Sequence, residues 1–127
     1  MAMKELTKAE EQVMQILWDL ERGLVNDILE RMPDPKPAYN TVSTVVRILE
    51  KKGFVHHKAY GKTHEYFPLV SKEQYTKGYL KGFVEGYFAN SYKSLVSFFS
   101  EHENLSSGEI EEMIALLQDQ LKQSNKK

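Results

Sequence analysis

Asn40-Thr41-Val42-Ser43-Thr44-Val45-Val46-Arg47-Ile48-Leu49-Glu50-Lys51-Lys52-Gly53, followed at once by Phe54-Val55-His56-His57-Lys58-Ala59-Tyr60-Gly61-Lys62-Thr63-His64-Glu65-Tyr66-Phe67-Pro68, is the stretch on which the fold turns. Its first half is periodic as a helix, predicted over about residues 38–52. At about 100° per residue, Val42, Val45, Val46 and Leu49 fall on one side and Asn40, Ser43, Thr44, Arg47 and Lys51 on the other. Lys51 and Lys52 complement the helix C-terminus, and Gly53 supplies the residue just past its end. The second half reads as two strands, 54–60 and 63–67, joined by the compact turn Gly61-Lys62 and closed by Pro68.

Working toward the N-terminus, Pro33-Asp34-Pro35-Lys36-Pro37 reads as a loop, because prolines lack the amide donor and disfavour helix in the residue before them. A short helix is predicted before it, about Asn26 to Met32, with Ile28, Leu29 and Met32 apolar. The first helix opens on the capping box Thr7-Lys8-Ala9-Glu10. Its expected buried stripe is Ala9, Val13, Ile16, Leu17 and Leu20, and Gly23 ends the run. Three helices followed by a two-stranded hairpin is the order of a winged helix-turn-helix, and the predicted class is mainly α.

Toward the C-terminus, Ser71-Lys72-Glu73-Gln74 is a second capping box, opening a helix predicted to run about 28 residues. Leu80, Val84, Tyr87, Phe88, Leu95 and Phe98 form one apolar face. Tyr75, Tyr79 and Phe83 form another, beside the row Gly78, Gly82 and Gly86. Two apolar faces imply two neighbours, one within its own domain and the other a second copy of the chain. The glycines are expected to permit close approach of two helices or of an aromatic ring. After a break at Glu101-His102-Glu103-Asn104-Leu105, Ser106 to Glu109 caps a last helix. Its seam of Ile110, Met113, Ile114, Leu117 and Leu121 is too narrow for a core and needs a partner helix. Residues 123–127 are expected to fray. The predicted organisation is a winged-helix domain over 1–70 and a helical dimerisation domain over 71–127.

The chain has 127 residues, a size suited to one domain or to a small domain carrying an oligomerisation arm, and no cysteine, which removes disulfides and thiolate chemistry. No apolar run approaches the roughly 20 residues that cross a bilayer, and Met1-Ala2-Met3-Lys4-Glu5 lacks the apolar core of a signal peptide. No membrane insertion is expected, and a cytoplasmic location is. The net charge of −1 hides an asymmetry. Residues 36–66 carry six Lys/Arg against two Asp/Glu, or +4, with His56, His57 and His64 in addition, whereas residues 1–35 carry four against eight, or −4. A contiguous basic segment suits a nucleic-acid reader, and a solvated basic face is the plainer alternative.

In a winged helix the third helix enters the major groove and the hairpin lies along the backbone. Asn40 has the donor–acceptor pair to read adenine, while Ser43 and Thr44 can bond base edges or phosphate. Arg47 and Lys51 are placed for phosphates, and Lys58, Lys62 and His64 surround the wing tip. His56 and His57, adjacent on a strand, point to opposite faces and are not expected to share a metal. His64 could approach either across the hairpin, but no third ligand at structural-site spacing is evident, so neither metal nor cofactor is expected. No nucleophile with a base and orienter, phosphate-cradling glycine loop or apolar carboxylate cluster is found, which argues against an enzyme. The competing class is a winged-helix protein-interaction module without sequence-specific DNA binding.

Leu6-Thr7-Lys8-Ala9-Glu10, Val13-Met14 and Leu17-Trp18 resemble the opening of the penicillinase-repressor (BlaI/MecI/CopY) transcriptional regulators. The block Asn40 to Gly53 is similar to their T-V-x-T-x-x-x-R-L-x-x-K-G signature, and Tyr66-Phe67-Pro68-Leu69-Val70 resembles their wing exit. Lys93-Ser94-Leu95-Val96 and Leu105-Ser106 to Glu109-Ile110-Glu111-Glu112-Met113 are similar to their C-terminal half. The copper-responsive branch carries C-terminal cysteines, which this chain lacks. The resemblance implies a homodimeric repressor of dyad operators, with Thr41, Ser43, Thr44 and Arg47 on the DNA-contacting face. It also implies release through cleavage by a membrane-embedded metalloprotease sensor in a β-lactam or related resistance circuit. By alignment on Lys93–Val96 the cut falls at Phe98-Phe99, where this chain has Phe98 in place of the relatives' Asn; core residues at a helix end are the alternative account of that pair.

Overall fold

A computed structural model describes residues 5–126. Met1 to Lys4 of the N-terminal stretch and Lys127 of the tail, both covered by the expectations above, lie outside the described residues. The elements are α1 (Lys8–Leu20), α2 (Val25–Glu30), α3 (Tyr39–Lys51), β1 (Val55–Tyr60), β2 (Thr63–Pro68), α4 (Lys72–Phe88), α5 (Tyr92–His102) and α6 (Ser107–Asn125). The chain divides into two compact units, Met1–Gly82 and Phe83–Lys127, the division falling within α4.

The first unit is a winged helix-turn-helix. Thr7 and Glu10 close the expected capping box on α1, with bonds of 3.2 Å and 2.9 Å. The stripe that α1 buries is Val13, Met14 and Leu17 together with Glu10; Ala9, expected inside, is exposed. The helix also stops earlier than Gly23 suggested. Glu21 takes a left-handed φ of 70°, and its N–H closes onto the Leu17 carbonyl at 2.7 Å. Gly23 has another role, pairing with Tyr66 through bonds of 2.9 Å and 2.8 Å in both directions, an isolated antiparallel bridge on β2 outside the β1–β2 ladder. A Cβ on Gly23 would lie 3.3 Å from side-chain atoms of Asp27 and Leu20, which would have to give by a few tenths of an ångström to admit it.

From α3, Val42, Val46 and Leu49 enter the core, where they meet Ile28 and Met32 of the α2 region and Phe54, Val55 and Tyr66 of the wing. Lys36 lies in the proline loop and its ammonium donates to the carbonyls of Glu30 at 2.8 Å and Met32 at 2.7 Å, closing the exposed end of α2. The strands pair antiparallel from Val55↔Pro68 to Tyr60↔Thr63, so Pro68 belongs to β2 and does not merely follow it. Gly61 supplies the positive φ (64°) that a two-residue hairpin turn requires at its first position. Trp18 Nε1–H donates to the Val70 carbonyl at 2.9 Å. Tyr75 of α4 is buried against Trp18 and Phe54, and its hydroxyl accepts from the Leu6 N–H at 3.3 Å.

In the second unit the predicted 28-residue helix is broken. Ala89 and Asn90 both adopt positive φ (49° and 62°), the Asn90 N–H reaches back to the Val84 carbonyl at 3.1 Å, and the Ser91 hydroxyl caps α5 by accepting from Ser94 N–H at 3.1 Å. Apolar spacing carried straight through this point, whereas Asn-Ser is a stop and a new cap. Leu95 and Phe98 therefore belong to α5 and not to the α4 face. Val84 is fully buried, and Phe88 packs edge-on against Phe98 at 5.6 Å. Of the glycine row, Gly82 and Gly86 face open space among the described residues: a Cβ on either would meet nothing within 4 Å. Ser106 and Glu109 form the expected capping box of α6, which continues as helix through Asn125 where fraying was expected. Neither α5 nor α6 has a buried residue. No helix among the described residues is long and apolar enough to cross a membrane.

Candidate nucleic-acid interface

The outward surface of α3 carries two parallel rows. Tyr39, Ser43 and Arg47, at i, i+4 and i+8, line a cleft of about 320 Å³ whose other wall includes Lys62 and His64 of the wing, with Tyr66 and Asn26 at its margin. Asn40, Thr41, Thr44 and Lys51 lie outside that cleft and are all exposed, Asn40, Thr44 and Lys51 on the side opposite Val42, Val46 and Leu49 and Thr41 on the flank. Ser43, Arg47, Lys62 and His64 are thus brought together, while the remaining four candidates form the adjoining open face. Ser43 is half-buried at the cleft wall, unlike its exposed neighbours.

Thr44 is less free than its exposure suggests. Its hydroxyl donates to the Asn40 carbonyl at 2.8 Å, so it presents a methyl group and lone pairs outward, not a donor. Burial raises the Tyr66 phenol above its ordinary value, the Glu50 carboxylate adds to the shift, and Arg47 opposes it. Tyr39 and Asn26 line the cleft as well, though the sequence reading does not single them out. The signal for Tyr39 is its place one turn before Ser43 on the same row. Asn26 comes from α2, whose relation to the wing is not periodic in the sequence.

The wing root differs from expectation. The Nδ1 atoms of His56 and His57 both turn to one oxygen of Glu50, at 3.2 Å and 2.6 Å. Strand alternation separates Cβ atoms, but side-chain torsions can return ring nitrogens to a common point. His57 also stacks on His64, with ring centroids 4.1 Å apart and planes 12° from parallel.

On the second unit, Ile110, Ile114, Leu117 and Leu121 are exposed and Met113 is half-buried, with Leu116 exposed beside them though outside the predicted seam. Between α5 and α6 lies a wholly apolar cleft of about 350 Å³, lined by Val96, Phe99, Leu105, Met113, Ile114 and Leu117 among others. Phe98 and Phe99 are inside α5, not at its end. Phe98 is 52% exposed and lies against His102, ring centroids 4.3 Å apart and planes tilted by 38°, while Phe99 is half-buried in the cleft wall.

Residues 6–119 match the family model described as penicillinase repressor. The methicillin resistance regulatory protein MecI of Staphylococcus aureus is 33% identical over 114 residues, covering 89% of this chain and 93% of that one. The penicillinase repressor of Bacillus licheniformis is 24% identical over 116 residues, 91% of each chain. Among solved structures, the DNA binding domain of the repressor BlaI aligns with a TM-score of 0.51 at 23% identity, over 57% of this chain and 90% of that one. A MarR family protein from Bacillus stearothermophilus aligns with a TM-score of 0.53 at 16% identity, over 98% of this chain and 78% of that one. At such identities these two likenesses concern the fold alone. The family match over most of the length, with a relative one-third identical across nearly all of it, shows that the chain belongs to the penicillinase repressor family, whose members are transcriptional repressors and not enzymes.

Proposed function

We propose that the chain is a cytoplasmic homodimeric repressor that reads dyad operator DNA with α3 in the major groove and the wing along the phosphate backbone. The observation that carries this reading is the polar surface of α3. Asn40, Thr44, Arg47 and Lys51 are exposed opposite the buried valines, with Thr41 exposed on the flank, beside a cleft that gathers Arg47, Lys62 and His64. Such a surface offers base-edge partners next to phosphate partners. Family membership adds the regulatory role, in antibiotic-resistance control like that of MecI. A gel shift on the chain's own promoter at two salt concentrations tests the reading. Specific binding that weakens steeply with salt is expected, and no binding above that to unrelated DNA would leave the protein-interaction module as the better reading.

Dimerisation through α5 and α6 completes the proposal. Ile110, Met113, Ile114, Leu117 and Leu121, with the apolar cleft beside them, lack a covering within the second unit, and a two-fold partner would bury them. Two reading helices would then meet half-sites one helical turn or a multiple of it apart. Derepression in this scheme is cleavage at Phe98-Phe99 by a membrane-bound sensor protease, separating α6 from the DNA-binding unit. Because the bond lies inside α5, it becomes accessible only when that helix opens locally.

A further inference from the structure

We infer that Glu50, His56 and His57 form a site for one borderline divalent transition-metal ion of the zinc class, at the junction of α3 and the wing. The three ligand atoms, one carboxylate oxygen and two Nδ1 nitrogens, all lie within 4.8 Å of one another. A zinc-class ion sits about 2.0–2.2 Å from such ligands, which in a tetrahedral arrangement separates them by about 3.3–3.5 Å. The His56 contact with Glu50, at 3.2 Å, is already near that separation, and the His57 contact, at 2.6 Å, must open by several tenths of an ångström. His56 is 60% exposed at its side chain, which gives its ring freedom to adjust and gives an ion a path from solvent.

Both ends of the site are held by the fold. Glu50 lies in the last turn of α3, next to the buried Leu49. Past Gly53, whose φ is 84°, the Phe54 N–H returns to the Leu49 carbonyl at 2.9 Å, and buried Phe54 and Val55 then fix the start of β1. The His57 ring is braced by its stack on His64, while the more exposed His56 ring, edge-on to Phe67 at 5.9 Å, is the one left free to adjust. Preorganisation of this kind distinguishes a binding site from a chance surface cluster. Two imidazoles and one carboxylate suit Zn²⁺, Co²⁺ or Ni²⁺ rather than Mg²⁺ or Ca²⁺, which prefer all-oxygen shells, and three protein ligands leave a position for water. On binding, each ring presents an unprotonated Nδ1, with its proton carried on Nε2.

Calorimetric titration of the chelator-stripped full chain with Zn²⁺ tests the site. Uptake of a single ion per chain is expected. His57→Asn and Glu50→Gln should each weaken it by about tenfold or more, a loss at least as large as that from removing an outer-shell partner. His102→Asn, which alters a histidine of the second unit, should not. Co²⁺ added to the parent chain provides a measurement free of folding artefacts: paramagnetic broadening of backbone amides should centre on Glu50, His56 and His57. Absence of uptake, uptake indifferent to both variants, or broadening centred elsewhere each overturns the assignment.

Discussion

Thr44 turns a methyl group and lone pairs outward because its proton is committed to the Asn40 carbonyl. If the methyl packs on a thymine, Thr44→Ala should cost roughly 1–3 kcal/mol of discrimination at one operator position while Thr44→Val retains most of it, as measured by competition gel shifts with base-substituted operators. Arg47→Ala should behave differently, weakening binding to all sequences and reducing the salt slope by about one. Glu10 is the buried charged residue of the first unit's core. Its side chain is 5% exposed and meets Lys52, 26% exposed, at 2.7 Å. Burial pushes its carboxyl up, but the Lys52 ammonium and the Thr7 bonds outweigh burial and hold it below the ordinary value. A depressed carboxylate stabilises the fold above its unfolded pKa, about 4.3, and loses that contribution as pH falls through the lower folded value. Glu10→Gln should cost about 1–2 kcal/mol at pH 7, less than a fully buried pair because Lys52 is part-solvated, and should flatten the acid limb of stability against pH in urea titrations.

At the scale of elements, the junction of α4 and α5 holds two residues whose backbone and side chain disagree. Ala89 sits at φ 49°, where a Cβ is strained, and Gly86 sits in a helix with open space around it. Ala89→Gly should therefore stabilise by about 1 kcal/mol, and Gly86→Ala by about 0.5–1 kcal/mol, in chemical denaturation. A weaker dimer with Gly86→Ala, despite a more stable helix, would show that the glycine face receives a second copy. Much of the architecture was legible because it is local. The capping boxes at Thr7, Ser71 and Ser106, the left-handed Gly53 and the Gly61-Lys62 turn each depend on residues within a few positions of one another. The rows of α3 were legible for the same reason. What escaped depends on competition or distance. The Ala89-Asn90 stop was hidden by apolar spacing that continued through it. The Gly23 bridge to Tyr66, Asn26 at the cleft and the return of two histidines to Glu50 require knowing how separate elements meet.

For the whole molecule, the first compact unit includes the opening turns of α4, so a fragment ending at Gly82 retains Tyr75. Such a fragment is expected to sediment as a folded monomer with operator affinity reduced by about 10² or more, since the two half-sites are no longer linked. A fragment ending at residue 70 loses the Tyr75 ring and its bond to Leu6, and should be less stable than the longer one by about 3 kcal/mol. A dimer formed by the Gly82 fragment would contradict the assignment of assembly to α5 and α6. The Glu10–Lys52 pair has a further consequence, in the history of the sequence and not in its chemistry. These positions stand 42 residues apart, yet each makes the other's loss costly, so neither can drift alone. Descendants that abandon the acid on α1 are expected to have given up the cation after α3 in the same lineage, and apolar residues at both positions should be tolerated where either single change is not.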